Sequence, residues 1–172
     1  LVPPELFRKG LFPAGRLDKD TIGMVLITND GTLSHRILSP KKHIPKYYIV
    51  KLAESFQEDY VRQFAEGVII DGGEKCLPAK VKRFPDCEKT AFIELHEGKY
   101  HQIKRMFSAV ENSVEKLCRI QMGGLLMPEK LAIGEYMEIM HKDVENLLKS
   151  QCFEEVFRNI TENFSSYWIN MQ

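Results

Sequence analysis

The feature that most constrains the fold is how the apolar residues are punctuated. They come in short runs closed by strong turn signals, never in a long helical or membrane-length stretch. Met24 to Thr28 reads as a buried strand ended by Asn29-Asp30-Gly31. Tyr47 to Leu52 reads as another. Val68 to Asp71, Ala79 to Phe84 and Ala91 to His96 follow, separated by Asp71-Gly72-Gly73 and Pro85-Asp86, and Leu117 to Met122 and Tyr136 to Ile139 complete the set. Helices fit between them. Thr32 to Leu38 stops at Ser39-Pro40, and Ser55 caps a helix to about Glu66 with Glu58 closing a capping box. From about Tyr100, Ile103, Met106, Phe107 and Val110 share one helical face, and a further helix lies near Asp143 to Leu148. Hairpin-like spacing with interspersed helices predicts an α+β fold: a mixed, largely antiparallel sheet with helices packed on one side of it.

At 172 residues the chain has room for one domain, or a domain and a tail, divided here at residues 1–150 and 151–172. In the tail, Phe153, Val156, Phe157, Ile160 and Phe164 form an amphipathic helical pattern ending at Tyr167-Trp168, expected to be a packing appendage or extension. No apolar run reaches the roughly 18 residues that span a bilayer, so a cytoplasmic protein without a membrane partner is expected. Leu1-Val2-Pro3-Pro4-Glu5 carries no initiator Met, and the natural protein is expected to begin upstream. Cys76, Cys87, Cys118 and Cys152 include no C-x-x-C pair, so each reads as a small buried or half-buried hydrophobe, and no metal is expected.

Net charge is zero, but it is unevenly distributed. Residues 1–110 carry 18 Lys and Arg against 14 Asp and Glu, while residues 111–172 carry 6 against 10. Gly31 to Ala53 holds Arg36, Lys41, Lys42, Lys46 and Lys51 with no acid, and Gly98 to Val110 holds Lys99, His101, Lys104 and Arg105 likewise. Interleaved with Tyr47, Tyr48, Tyr100 and Phe107, these stretches suit RNA, whose phosphates need cations and whose bases stack on rings.

Gly15-Arg16-Leu17-Asp18-Lys19-Asp20 sets two carboxylates beside cations ahead of an apolar strand. Taken alone, it is a turn in which Asp18 or Asp20 caps backbone N–H groups. Three distant segments change that reading. Gly15-Arg16-Leu17-Asp18, then Lys46-Tyr47-Tyr48-Ile49-Val50, then Glu97-Gly98-Lys99-Tyr100-His101-Gln102-Ile103-Lys104-Arg105-Met106 follow one another in an order that resembles the RsuA-type ribosomal pseudouridine synthases. The resemblance covers roughly residues 6–148. Ser34-His35-Arg36 and Phe64-Ala65-Glu66-Gly67-Val68 are similar to the small-subunit (16S rRNA) branch.

The resemblance implies isomerisation of a uridine in 16S rRNA without metal or organic cofactor, by a monomer acting on naked RNA or an assembly particle. The target nucleotide is flipped out of its stack. By the same resemblance Asp18 acts as nucleophile or base, Lys104 pairs with it, and Tyr48 stacks on the uracil with its hydroxyl near the C5 proton. Arg16 would fill the vacated space or clamp a phosphate. His101 and Gln102 would support the site, Lys46 would meet a phosphate, and Leu125 would wall the uracil pocket. Arg36, Lys41, Lys42 and Arg105 are the expected contacts to the RNA backbone. Departures from the family are the absence of its preceding S4 domain and first strand, and Gln121 and Met137 at positions where basic residues are common. A fragment poor in RNA affinity is therefore expected. Competing readings are a large-subunit (23S) synthase, a non-catalytic rRNA-binding or assembly factor, and another carboxylate enzyme such as a glycosidase or nuclease.

Overall fold

The computed structural model describes residues 3–39, 44–129 and 131–169, with side chains up to residue 163. Along the chain run β1 (Phe12–Pro13), β2 (Thr21–Gly23), β3 (Ile27–Thr28), α1 (Gly31–Leu38), β4 (Lys46–Leu52), α2 (Asp59–Glu66), β5 (Ile69–Ile70) and β6 (Glu74–Lys75). They are followed by β7 (Lys80–Arg83), β8 (Thr90–Leu95), α3 (Gln102–Ala109), β9 (Val114–Met122), β10 (Leu125–Leu126), α4 (His141–Leu147) and α5 (Phe153–Ile169). The main sheet has the order β10-β9-β4-β8-β7, every neighbour antiparallel, and β2 adds a parallel pairing to β9. The expected α+β class, with a mixed and largely antiparallel sheet, is what forms.

Strand β4 is interior, with Tyr48 opposite Ile93 on one side and Arg119 on the other. It reads as nearly continuous apolar sequence because both of its faces are covered. On one face Val50, Leu52, Ile93, Leu95 and Leu117 pack under Tyr60 and Phe64 of α2 and Ile103, Met106 and Phe107 of α3. On the other, Tyr47, Ile49, Phe92, Cys118 and Ile120 pack under Phe153, Val156, Phe157 and Ile160 of α5. The expectation of a sheet covered on one side is thus corrected: the C-terminal helix supplies the second cover. An amphipathic stripe can bury itself only against another apolar face, and the back of the sheet is that face. The side chains of Phe164, Tyr167 and Trp168 lie outside the described residues.

Other elements depart from the sequence reading for local reasons. Of the strand expected over Met24 to Thr28 only Ile27–Thr28 forms, and a separate strand, β2, precedes it over Thr21–Gly23. β2 runs beside β9, and the chain then turns away so that β3 can pair with β1. Ser55 caps no helix, because α2 starts at Asp59, and the Ser55 hydroxyl turns to Glu88 instead. Tyr136 to Ile139 forms no strand, and Tyr136 and Met137 are exposed. Cys152 is exposed, against the expectation of burial, while Cys76 and Cys118 are buried.

Candidate active site

Asp18 opens a tight turn, closed by the Thr21 N–H donating to the Asp18 carbonyl at 3.0 Å, and β2 follows at once. β2 lies against β9 with Gly23 opposite Arg119. Gly23 has φ +106°, and a Cβ there would sit 2.2 Å from the Arg119 carbonyl oxygen, so only glycine permits this approach. The Arg119 side chain then reaches back over the turn. Its Nε donates to the Met24 carbonyl at 2.9 Å and its Nη1 to the Arg16 carbonyl at 3.4 Å. One buried guanidinium ties together both ends of the segment that carries Asp18. The third nitrogen, Nη2, is buried without a hydrogen bond among the described residues.

The facing wall is the start of α3. His101, with its backbone in the left-handed region at φ +48°, places Nε2 3.8 Å from Asp18 Oδ1. Lys104 directs its ammonium not to Asp18 but to Asp20, with Nζ 2.6 Å from both carboxylate oxygens. The expected Asp18–Lys104 pair is therefore corrected to two pairs, 18 with 101 and 20 with 104. Geometry explains the offset: three residues on α3 advance nearly one helical turn, about 4.5 Å, and two residues along the Asp18 turn cover a similar distance. The hydrogen bond from Lys104 holds the exposed Asp20 carboxyl below its usual range.

Tyr48 comes up from β4, half-buried between these segments. Burial pushes its phenol above the ordinary value, the neighbouring Arg119 guanidinium pulls the other way, and the Asp18 charge adds to the rise. The phenol therefore stays protonated at neutral pH. Asp18, Tyr48, His101 and Arg119 thus converge, with Lys104 one helical turn away.

Arg119 is the residue that the sequence reading missed. Its signal was present: a lone guanidinium inside the apolar run Leu117-Cys118-Arg119-Ile120, where a charge needs a reason. The remaining expected residues divide. Arg16 is exposed beside Asp18, and Arg36 is exposed on α1. Lys46 is buried, its Nζ donates to the Ile44 carbonyl at 3.1 Å, and burial with the nearby Arg119 charge lowers it to about 8. It does not present the surface ammonium expected to meet a phosphate. Gln102 is also buried. It accepts from the Lys99 N–H at 2.9 Å and donates to Glu97 at 2.7 Å, so it braces the loop before α3 rather than facing a substrate. Leu125 packs with Ala14, Leu26, Ile37, Met122 and Leu147, a cluster apart from the one that Tyr48 packs against. Arg105 is paired with Asp71 and Glu74 and donates to the Tyr100 carbonyl, so backbone phosphates would have to compete for it. Lys41 and Lys42 lie outside the described residues. Among the described residues no group of three His, Cys, Asp or Glu side chains is placed to hold a metal ion, and no helix is long and apolar enough to cross a membrane.

An aspartate turn is locked to a mixed sheet and faces a tyrosine strand and the start of a helix that carries Lys104 and Arg105. The family model for RNA pseudouridylate synthases matches residues 2–109, and the chain belongs to that family. It is 44% identical over 153 residues to a Bacillus subtilis protein named as an uncharacterized RNA pseudouridine synthase, YtzG, covering 88% of this chain and 64% of that protein. It is also 44% identical over 140 residues to the ribosomal small subunit pseudouridine synthase A of Haemophilus influenzae, covering 81% of this chain and 60% of that one. A crystal structure of a pseudouridylate synthase superposes with a TM-score of 0.77 at 40% identity, over 83% of this chain and 64% of that chain. The chain thus spans less than two thirds of the length of these relatives.

Proposed function

We propose that this chain carries the catalytic site of a pseudouridine synthase that isomerises a uridine of small-subunit (16S) ribosomal RNA. The observation that carries the reading is the convergence of Asp18, Tyr48 and His101, drawn from three distant segments, on a turn pinned by Arg119. The small-subunit target is supported by the name of the Haemophilus relative. In the reaction the bond from uracil N1 to ribose C1′ breaks and a bond from C5 to C1′ forms. The C5 proton leaves, and N1 takes a proton, so nothing is consumed. Asp18 acts on the ribose or base as nucleophile or base, within reach of the His101 imidazole. Tyr48 offers a ring to the flipped uracil and a hydroxyl that stays protonated. Exposed Arg16 stands at the edge, placed to occupy the space the nucleotide leaves or to meet its phosphate.

The test is release of tritium from [5-³H]uridine in a 16S rRNA transcript. The parent chain releases it, and Asp18→Asn lowers the rate by roughly three orders of magnitude or more while circular dichroism stays unchanged. Release from the Asp18→Asn variant at the parent rate would remove Asp18 from the mechanism. No release from the parent would leave a non-catalytic RNA-binding protein.

A further inference from the structure

Tyr100 stands beside the site, and the reading above gives it no role. Its side chain is 73% exposed, yet it is not loose. The ring lies on the His101 imidazole with centroids 3.8 Å apart and planes 18° apart. Its backbone is fixed as well. Arg105 Nη1 donates to the Tyr100 carbonyl at 3.2 Å, and the Gln102 amide ties the preceding loop through the Lys99 N–H and Glu97. The imidazole beneath it is the one whose Nε2 lies 3.8 Å from Asp18. A single exposed aromatic needs no explanation, but one stacked on one face, open on the other and held next to a catalytic carboxylate is an organised platform.

We propose that the open face of Tyr100 takes a nucleobase of the RNA strand next to the target uridine, lengthening the Tyr100–His101 stack by one ring. The inference rests on the reading of the site as an RNA-modifying one. Stacking accepts any base, so this subsite contributes affinity and holds the strand in register without selecting sequence.

The experiment uses the whole chain, a 16S rRNA transcript carrying [5-³H]uridine, and the variants Tyr100→Ala and Tyr100→Phe, with tritium release giving KM and kcat and filter binding giving Kd. Tyr100→Ala is expected to raise KM and Kd roughly five- to a hundredfold while kcat stays within about twofold, and Tyr100→Phe to keep all three near the parent values. Unchanged KM and Kd in Tyr100→Ala overturn the proposal. So does a fall in kcat at unchanged KM, which means that the ring serves only to orient His101. A parent that binds the transcript but releases no tritium sinks the catalytic reading, whereas the Kd comparison still decides the stacking subsite.

Discussion

Arg119 sits within β9 with apolar neighbours on both sides, and the hydrogen bonds of its guanidinium explain its presence. Two of its nitrogens hold the carbonyls of Met24 and Arg16, so Arg119→Met strands both acceptors. The expected loss is about 1–3 kcal/mol in urea unfolding, together with a fall in tritium release in samples that remain folded. Arg119→Lys, with a single ammonium, recovers only part of each. Turnover at the parent rate in a folded Arg119→Met sample would deny that this side chain positions Asp18. Lys46, its cationic neighbour, gives a pH signature. Its ammonium titrates near 8 in the folded chain and near 10.5 once unfolded. Between those values the unfolded chain binds the extra proton, so stability rises with pH. Tyr47 and Tyr48 from about 10, and the buried thiols of Cys118 and Cys76 from about 9, act with the opposite sign, since burial keeps them protonated above their ordinary 10.0 and 9.0 while the unfolded chain loses those protons. Urea midpoints should therefore climb from pH 8 to about 9 and fall beyond about 10. Lys46→Met should remove the climb and leave the fall.

At the scale of elements, α5 belongs to the core. Phe157 meets Phe84, Phe92 and Phe153 and carries Lys82 over its ring at 4.9 Å, while Lys82 also pairs with Glu154 at 2.6 Å. Phe157→Ala should cost about 3–5 kcal/mol in chemical unfolding, as at an interior position. A cost below about 1 kcal/mol would mean that the helix is only draped on the sheet. The spacing of Phe153, Val156, Phe157 and Ile160 made this helix legible, but a stripe does not name its partner. Its seat was hidden because Tyr47, Ile49 and Phe92 alternate with residues that are also buried, so β4 and β8 gave no polar face to mark a second cover. The shift of the strand from Met24–Thr28 to Thr21–Gly23 and Ile27–Thr28 was hidden for a related reason: apolar continuity does not report which neighbour a stretch pairs with.

For the molecule as a whole, three segments far apart in the chain were legible as one site because their residue types and order matched a family. What the order could not give was phase. Asp18 and Asp20 are both carboxylates on one turn, His101 and Lys104 both nitrogen-bearing side chains nearly one helical turn apart, and only the relative rotation of turn and helix decides who meets whom. Charge was legible as sum and clustering, but not as occupancy. Lys99, Lys104 and Arg105 are each held by an exposed carboxylate, from Glu74, Asp20 and Asp71 respectively. The basic wall is thus neutralised from outside, consistent with a net charge of zero.

Because α5 closes the back of the sheet, the molecule has two sides that do not share traffic. The Asp18 turn, Tyr100 and the cations of α3 lie on the front, and the segment leading into α5 belongs to the rear. Cys152 is the one exposed thiol of the four and stands in that segment. A maleimide dye attached there would sit behind the partition, a ready-made handle for watching the protein tumble on a large nucleic acid without obstructing the face proposed to grip it.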